Sequence, residues 1–408
     1  MKFIRDNVEL IKKNCQNRHV NVDVDLLIKL DVDRRVALKN IEEKRAARKQ
    51  KSKGKPTDEE IVQLRQAGDE IASLEKAYAE IEREYNGLLL KIPNLTHADT
   101  PLGGEDDYKV LFSGLKPPTF KFEPKDHEQL LLDLDLIDFE RGAKVAASKF
   151  YFSKNNLVRL NYALLQYGMD TLAKHGYVLM ETPDVAKNEI LTGVGFNPRG
   201  EETQTYSLEN TGLSLIGTAE VTMGGYHADE VLDLSRGPKK YAAISHCFRT
   251  EAGAYGKTSK GLYRVHQFTK LEMFIYCRPE DSEKMHHELL EMEKKIVGGL
   301  KLPYRVIDVA SGDLGAPAYR KYDIEAWMVM KNNYGEITSA SNCTDYQARR
   351  LRIKYRKEDG GADFVHTLNG TAIVTSRFPL AVVENFQQKD GGVLVPKILQ
   401  KYTGFKKF

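Results

Sequence analysis

At 408 residues, 41% of them hydrophobic, the chain is long enough to bury a sizeable core and to hold two domains. A net charge of +3 is too mild to establish a nucleic-acid partner, so any RNA surface has to come from local clustering. Cys15, Cys247, Cys277 and Cys343 are scattered with no CxxC pair, which argues against a disulfide framework or a zinc ribbon and suits a reducing compartment. The N-terminus, MKFIRDNVELIKKN, mixes both charge signs, and no segment approaches a membrane span. No membrane partner is expected, and the default address is cytoplasmic, with a mitochondrial origin left open.

The first hundred residues read as one domain. Ile61, Leu64, Ile71, Leu74, Tyr78, Ile81, Tyr85 and Leu88 recur at threes, fours and one seven, the stripe of a long amphipathic helix. Leu27, Leu30, Ala37 and Ile41 form a partner stripe on a helix from about Val24 to Lys51, thinning toward Lys44 and Arg48. Gly54 and Pro56 break the chain between them, so an antiparallel helical hairpin, a coiled coil projecting roughly 45 Å, is expected. Lys44, Arg45, Arg48, Lys49, Lys51, Lys53 and Lys55 crowd toward its tip. Such a run suits an RNA phosphate backbone, and it equally suits a solvated helix face.

Residues 101–408 read as a second domain, with Lys91 to Leu115 as the linker onto it. The stretch DLDLIDFERGAKVAASKFY ends at Tyr151 and leads into a helix near Leu157 to His175. In LSLIGTAEVTMGG, Thr218 and Glu220 share a strand face, where a hydroxyl and a carboxylate can grip an ammonium group. The segment before it, GVGFNPRGEETQTYSLENTG, receives no role.

The centre of this domain is FRTEAGAYGKTSKGLYRVHQFTKLEMF, Phe248 to Phe274, two strand-like segments joined by a Gly-, Ser- and Lys-rich loop. With period two, Arg249 and Glu251 share a face in the first segment, and Arg264, His266, Phe268 and Glu272 in the second, leaving Val265, Leu271 and Met273 for a core. Guanidinium forks match phosphate oxygens, a ring can stack on adenine, and carboxylates can accept from an amine or help hold magnesium. An ordinary hairpin with one wet, charged face shows the same alternation.

Two later stretches carry similar chemistry. YGEITSASNCTD, Tyr334 to Asp345, has Glu336 and Ser339 three apart, on opposite faces of a regular strand unless a bulge intervenes. The basic QARRLRIKYR that follows, Gln347 to Arg356, suits a helix face toward RNA or a solvated one. TLNGTAIVTSRFPLAVVENFQQKDGG gives Asn369, Thr371 and Arg377 one strand parity, then a helix begun by Pro379 and ended by Gly391-Gly392.

In order along the chain, these strings resemble motifs 1, 2 and 3 of class II aminoacyl-tRNA synthetases in their seryl form, and the resemblance covers nearly all of the chain. It departs at Ala147, where glycine is usual, at Asn161, where Glu is common, and at Ala372, which replaces a frequent glycine. The resemblance implies an α+β fold: a helical hairpin arm that embraces the long variable arm of serine tRNA, and an antiparallel β-sheet flanked by helices that forms a homodimer through motif 1. A Rossmann fold is not expected, since no strand-associated GxGxxG is present.

The resemblance also implies roles. Arg249, Arg264 and Arg377 act on the triphosphate. The ATP site takes in Arg249, Thr250, Glu251, Arg264, Val265, Phe268, Glu336, Ile337, Thr338, Ser339 and Arg377, with magnesium at Glu336 and Ser339. L-serine falls to Thr218, Ala219, Glu220, Arg249, Glu272, Asn369 and Thr371. The expected reaction is activation of serine by ATP to seryl-adenylate, then transfer to the 3'-terminal adenosine of tRNA. Two rivals are an RNA-binding paralogue, which would have lost Arg249, Glu272 or Arg377, and a ligase loading a carrier protein, which would lack the arm.

Overall fold

The computed structural model describes residues 1–52, 57–196, 204–251 and 261–408. Lys53 and Lys55 of the basic tip, and the loop inside the 248–274 stretch, lie outside the described residues. The chain divides into two compact units, Met1–Leu95 and Thr96–Phe408.

In the first unit two short helices, α1 (Lys2–Asp6) and α2 (Val8–Asn17), precede the long α3 (Val24–Lys51) and α4 (Asp58–Lys91). The long pair starts on side-chain caps. Asp23 accepts from the Leu26 N–H, and Thr57 and Glu60 form a reciprocal capping box. Cross-helix pairs run Arg34–Glu82, Arg45–Glu75 and Lys44–Glu70, so residue numbers rise on one helix as they fall on the other and the hairpin is antiparallel.

Leu27, Leu30 and Tyr85 join Ile4, Ile11, Cys15 and Ile92 in the unit's core, so α1 and α2, which periodicity did not mark, brace the base of the hairpin. Buried within that base, Asp31 takes Arg5 at 2.5 Å and Arg35 at 3.3 Å, which offsets the cost of its desolvation. Past Ile41 on α3 and before Ile71 on α4, no described side chain is buried.

The second unit is built on eight strands: β1 (Lys109–Ser113), β2 (Val178–Glu181), β3 (Lys239–Phe248), β4 (Gln267–Cys277), β5 (Tyr304–Asp308), β6 (Arg320–Met328), β7 (Asn333–Asn342) and β8 (His366–Val374). Their order is β1-β5-β6-β7-β8-β4-β3-β2, antiparallel throughout except for β2 beside β3. This is an antiparallel sheet rather than a doubly wound parallel one.

After α5 (His127–Asp133) and α6 (Phe139–Ala146), three helices cover one face: α7 (Asn155–Ala173), α10 (Ser282–Gly299) and α12 (Phe378–Asn385). Odd positions of β4 point there. Leu271 and Ile373 come so near Gly168 of α7 that a Cβ would lie 2.8 and 2.9 Å from them, so only glycine lets the helix settle. Even positions face the other way, where Phe274 and Tyr276 pack with α8 (Asn188–Val194), α9 (Ala219–Gly225) and α11 (Tyr346–Leu351) in a second cluster.

Several expectations are corrected. Part of the supposed linker belongs to the sheet, since Lys109–Ser113 pairs with β5 as an edge strand. Thr218 and Glu220 do not share a strand: Thr218 caps α9, accepting from the Glu220 N–H at 3.1 Å, because a Thr hydroxyl competes well for orphan amides at a helix start. Gln347–Arg356 is not one helix. Gln347, Ala348 and Leu351 are buried in the short α11, and Lys354–Arg356 is a strand. The helix begun by Pro379 stops at Asn385, well before Gly391, which instead takes φ +84 in a turn.

Candidate active site

Beyond the end of β3, Arg249 and His266 continue the ladder, the Arg249 N–H donating to the His266 carbonyl at 2.9 Å and the His266 ring meeting the Arg249 carbonyl at 2.8 Å. Arg249, Glu251 and Arg264 therefore sit past the strands, where strict alternation no longer applies; Glu251 has φ +51. They nevertheless converge on one cleft on the even-numbered face of β4. Arg249, Glu251, Arg264, Val265, Phe268, Glu336, Ile337, Thr371 and Arg377 all line it.

Each cation of the cleft rests on a carboxylate or a ring. Arg264 meets Glu251 at 3.2 Å, and Arg377 meets Glu336 at 2.8 Å. Lys270 pairs with the buried Glu272. The Arg249 guanidinium lies 5.3 Å from the Phe268 ring centre, within cation–π range, and donates to the Gly217 carbonyl at 3.2 Å. Burial alone would push the Glu336 carboxyl up, but Arg377 and Lys321 beside it hold it below the usual range.

Arg377 is not a strand residue. It caps α12, with Pro379 in the first turn, and reaches back to the cleft from there. Glu336 and Ser339 illustrate how a bulge defeats period two. Asp323 faces Ser339 and Glu325 faces Glu336, leaving one extra residue on β7 between them. Both side chains are thereby brought to one face, next to the buried Asp323. Hard oxygen donors placed together fit magnesium, which commonly takes one or two protein carboxylates and completes its shell from phosphates and water.

Further along the same face, Thr371 of β8 pairs across the ladder with Glu272. Glu220, at the start of α9, is 8% exposed, and burial and then the nearby Glu272 push its carboxyl up to about 7. A Cβ at residue 372, by contrast, is turned away from all this. Ala372 lies at a second bulge, fully buried in the main core, and does not narrow the cleft.

The profile of the seryl-tRNA synthetase N-terminal domain matches residues 1–96, and that of the class II tRNA synthetase core domain (G, H, P, S and T) matches residues 205–386. A serine–tRNA ligase of Treponema denticola is 52% identical over 99% of this chain and 98% of its own length. The chain belongs to the seryl-tRNA synthetase family. A second relative, the serine–tRNA ligase of Dictyoglomus turgidum, is 49% identical over 99% of this chain and 97% of its own.

Among solved structures of the family, the Pyrococcus horikoshii seryl-tRNA synthetase complexed with ATP superposes with a TM-score of 0.86 at 37% identity, covering 100% of this chain and 98% of that one. The Naegleria fowleri cytoplasmic serine–tRNA ligase in complex with AMP gives 0.81 at 32% identity, covering 100% and 96%. An antiparallel sheet flanked by helices, carried with a helical arm, is thus the family's fold in this chain.

Within this seryl-tRNA synthetase framework, some expected site residues have hydrogen-bond partners outside the cleft lining. The Thr338 hydroxyl donates at 2.9 Å to Glu293 of α10, on the helix-covered face. Asn369 contacts Cys343 Sγ at 3.6 Å. The Thr250 N–H donates to the Gln204 carbonyl at 3.1 Å. At the arm, Lys44 and Arg45 are occupied by Glu70 and Glu75, acids contributed by the other helix, whereas Arg48, Lys49 and Lys51 have no carboxylate within 4 Å among the described residues.

The cleft also holds residues that the motif pattern did not single out: Tyr263, Lys270, Val374 and Ser376. Tyr263 donates to the Glu336 carbonyl at 3.2 Å, and its ring carries Arg377 at 4.9 Å and Lys331 at 4.0 Å. It fits because residue 335 is glycine: a Cβ there would stand 3.1 Å from the Tyr263 oxygen. Nothing in the local sequence ties Tyr263 to Gly335, which are brought together only by the sheet.

Proposed function

We infer that the chain activates L-serine with ATP and transfers it to serine tRNA, using the cleft between β4, β7 and β8. The observation that carries this reading is the meeting of Arg249, Arg264 and Arg377 with Phe268 in one cleft, beside the cross-strand pair Glu272 and Thr371. Three guanidinium groups suit a triphosphate, the ring suits adenine, and the carboxylate with the hydroxyl suits serine. That the Pyrococcus relative was solved with ATP supports the same assignment.

In the first step an oxygen of the serine carboxylate attacks the α-phosphorus, the α–β anhydride bond breaks and pyrophosphate leaves. In the second, the 3'-terminal adenosine hydroxyl of tRNA attacks the seryl carbonyl and AMP leaves. No side chain has to act as nucleophile. Arg249 holds the α-phosphate, Arg264 the far phosphate and Arg377 the triphosphate, so the chain contributes alignment and charge stabilisation. Glu336 and Ser339 would hold magnesium, which would supply positive charge beside the phosphate oxygens.

Glu220 receives the α-ammonium group, and Glu272 with Thr371 receives the hydroxyl. Alanine would offer those two buried groups no hydroxyl, and a polar site left unmet in this way can discriminate by about 10⁴ to 10⁵. Threonine has to be excluded by shape.

Two copies pair through motif 1. Supporting this, Val145, Phe152, Tyr162, Val178 and Leu179 are all exposed there, Tyr162 by 70%, a grouping of apolar side chains that water disfavours. The four cysteines are free and buried, which suits a reducing compartment such as the cytoplasm; no described helix is long and apolar enough to cross a membrane.

Aminoacylation separates the arm from the cleft. With Arg48, Lys49 and Lys51 changed to Ala, charging of serine tRNA should fall at least tenfold while adenylate formation holds. Equal charging by the triple variant would remove the arm from tRNA recognition.

A further inference from the structure

Gln347 was placed by sequence on a basic stretch that could have faced RNA. In the structure it is fully buried at the start of α11, with both its amide nitrogen and its amide oxygen engaged. Its nitrogen donates to Glu220 Oε1 at 2.8 Å and to the Val194 carbonyl at 3.1 Å, and its oxygen accepts from the Thr367 hydroxyl at 2.8 Å. One side chain thus joins α8, α9, α11 and β8 behind a single carboxylate.

We propose that Gln347 is a positioning residue for serine, fixing the Glu220 carboxylate in its rotamer and in its ionised form so that it can receive the substrate's α-ammonium group. This rests on Glu220 being the ammonium acceptor. The physical need is clear from the surroundings of Glu220: Glu272 disfavours its charge, while Lys270 and Arg249 favour it. Burial is the largest influence and raises the carboxyl, so an ionised Glu220 depends on donors that it can keep without water. Gln347 is such a donor, and it is held from behind by Thr367, which leaves its nitrogen only one orientation. A carboxylate so fixed costs little to order when serine arrives.

The test uses the full-length chain and serine-dependent exchange of pyrophosphate into ATP, measured from pH 5.5 to 8.5. Gln347→Met keeps the volume and removes the donor. It should raise KM for serine at least tenfold, leave KM for ATP within twofold, and move the acid limb of kcat/KM for serine to higher pH. Gln347→Glu serves as a second variant, which can donate only when protonated, so its serine affinity should improve toward low pH relative to Gln347→Met. Glu220→Gln, run alongside, reports on the underlying reading.

Unchanged KM for serine and an unchanged acid limb in Gln347→Met, with KM raised in Glu220→Gln, would overturn the role of Gln347 alone. Unchanged KM in Glu220→Gln would overturn the Glu220 assignment and the proposal with it. Parallel rises in both KM values for Gln347→Met would also overturn it, since a merely structural amide would behave that way.

Discussion

At the scale of single residues, the cleft is a set of charges that already neutralise one another. Arg264 rests on Glu251, Arg377 on Glu336 and the buried Lys270 on Glu272, so each of these charges is paired and held near where a ligand would need it. Thr371, which faces Glu272 across the ladder, is the most selective point of attack. Thr371→Val preserves shape and removes the hydroxyl; KM for serine should rise about 10-fold to 100-fold, the cost of roughly 1–3 kcal/mol for an unmet buried group, while KM for ATP stays put. A different single residue bears on stability. Ala147 occupies φ +91 and ψ 176, a conformation that glycine tolerates and L side chains pay for. Ala147→Gly should therefore stabilise the fold by about 1 kcal/mol, read as a higher urea midpoint, once the larger entropy of the unfolded glycine has been offset.

At the scale of elements, α10 and β7 share a buried contact whose protonation is legible. His286 of α10 is fully buried, stacks on Tyr322 at 4.5 Å and meets the Ala340 carbonyl at 3.0 Å through Nε2, which therefore carries the proton of a neutral ring. Burial lowers its pKa to about 4. Since the folded value is below the unfolded one, the unfolded chain binds the extra proton first, and stability falls as pH drops from about 6.5 toward 4. His286 should account for about 2 kcal/mol of stability lost between pH 7 and 5; denaturant melts of wild type and His286→Gln at both values check this, the variant showing the smaller loss. Elements differ in how much of them the sequence carries. The long arm helices were legible because their stripes repeat over many turns, and Val24–Lys51 ends where Gly and Pro follow. The alignment of Leu271 and Met273 with the core followed from alternation. Thr218 and Glu220 did not, because a cap residue and a strand residue can be the same Thr. The joint facing of Glu336 and Ser339 was hidden by a bulge, which depends on the partner strand, and Gln347 by the charges around it, which mask a buried amide.

At the scale of the whole molecule, the chain falls into two compact units. The arm is held at its base by the core around Leu27, Leu30 and Tyr85 and loses its buried side chains toward the tip, so its outer end has little to resist opening. The second unit, by contrast, draws its candidate site from β3, β4, β7 and β8 and from the starts of α9 and α12, elements far apart in sequence that only the antiparallel sheet brings together. The profile matches follow the same division, one at residues 1–96 and the other at 205–386. The central claim is that this cleft makes seryl-adenylate. Its most direct test is exchange of labelled pyrophosphate into ATP with serine, alanine, threonine or glycine present, for wild type and for folded Arg249→Ala. The account predicts exchange with serine alone, reduced at least a hundredfold in the variant; exchange that is independent of serine, or equal in Arg249→Ala, would contradict it.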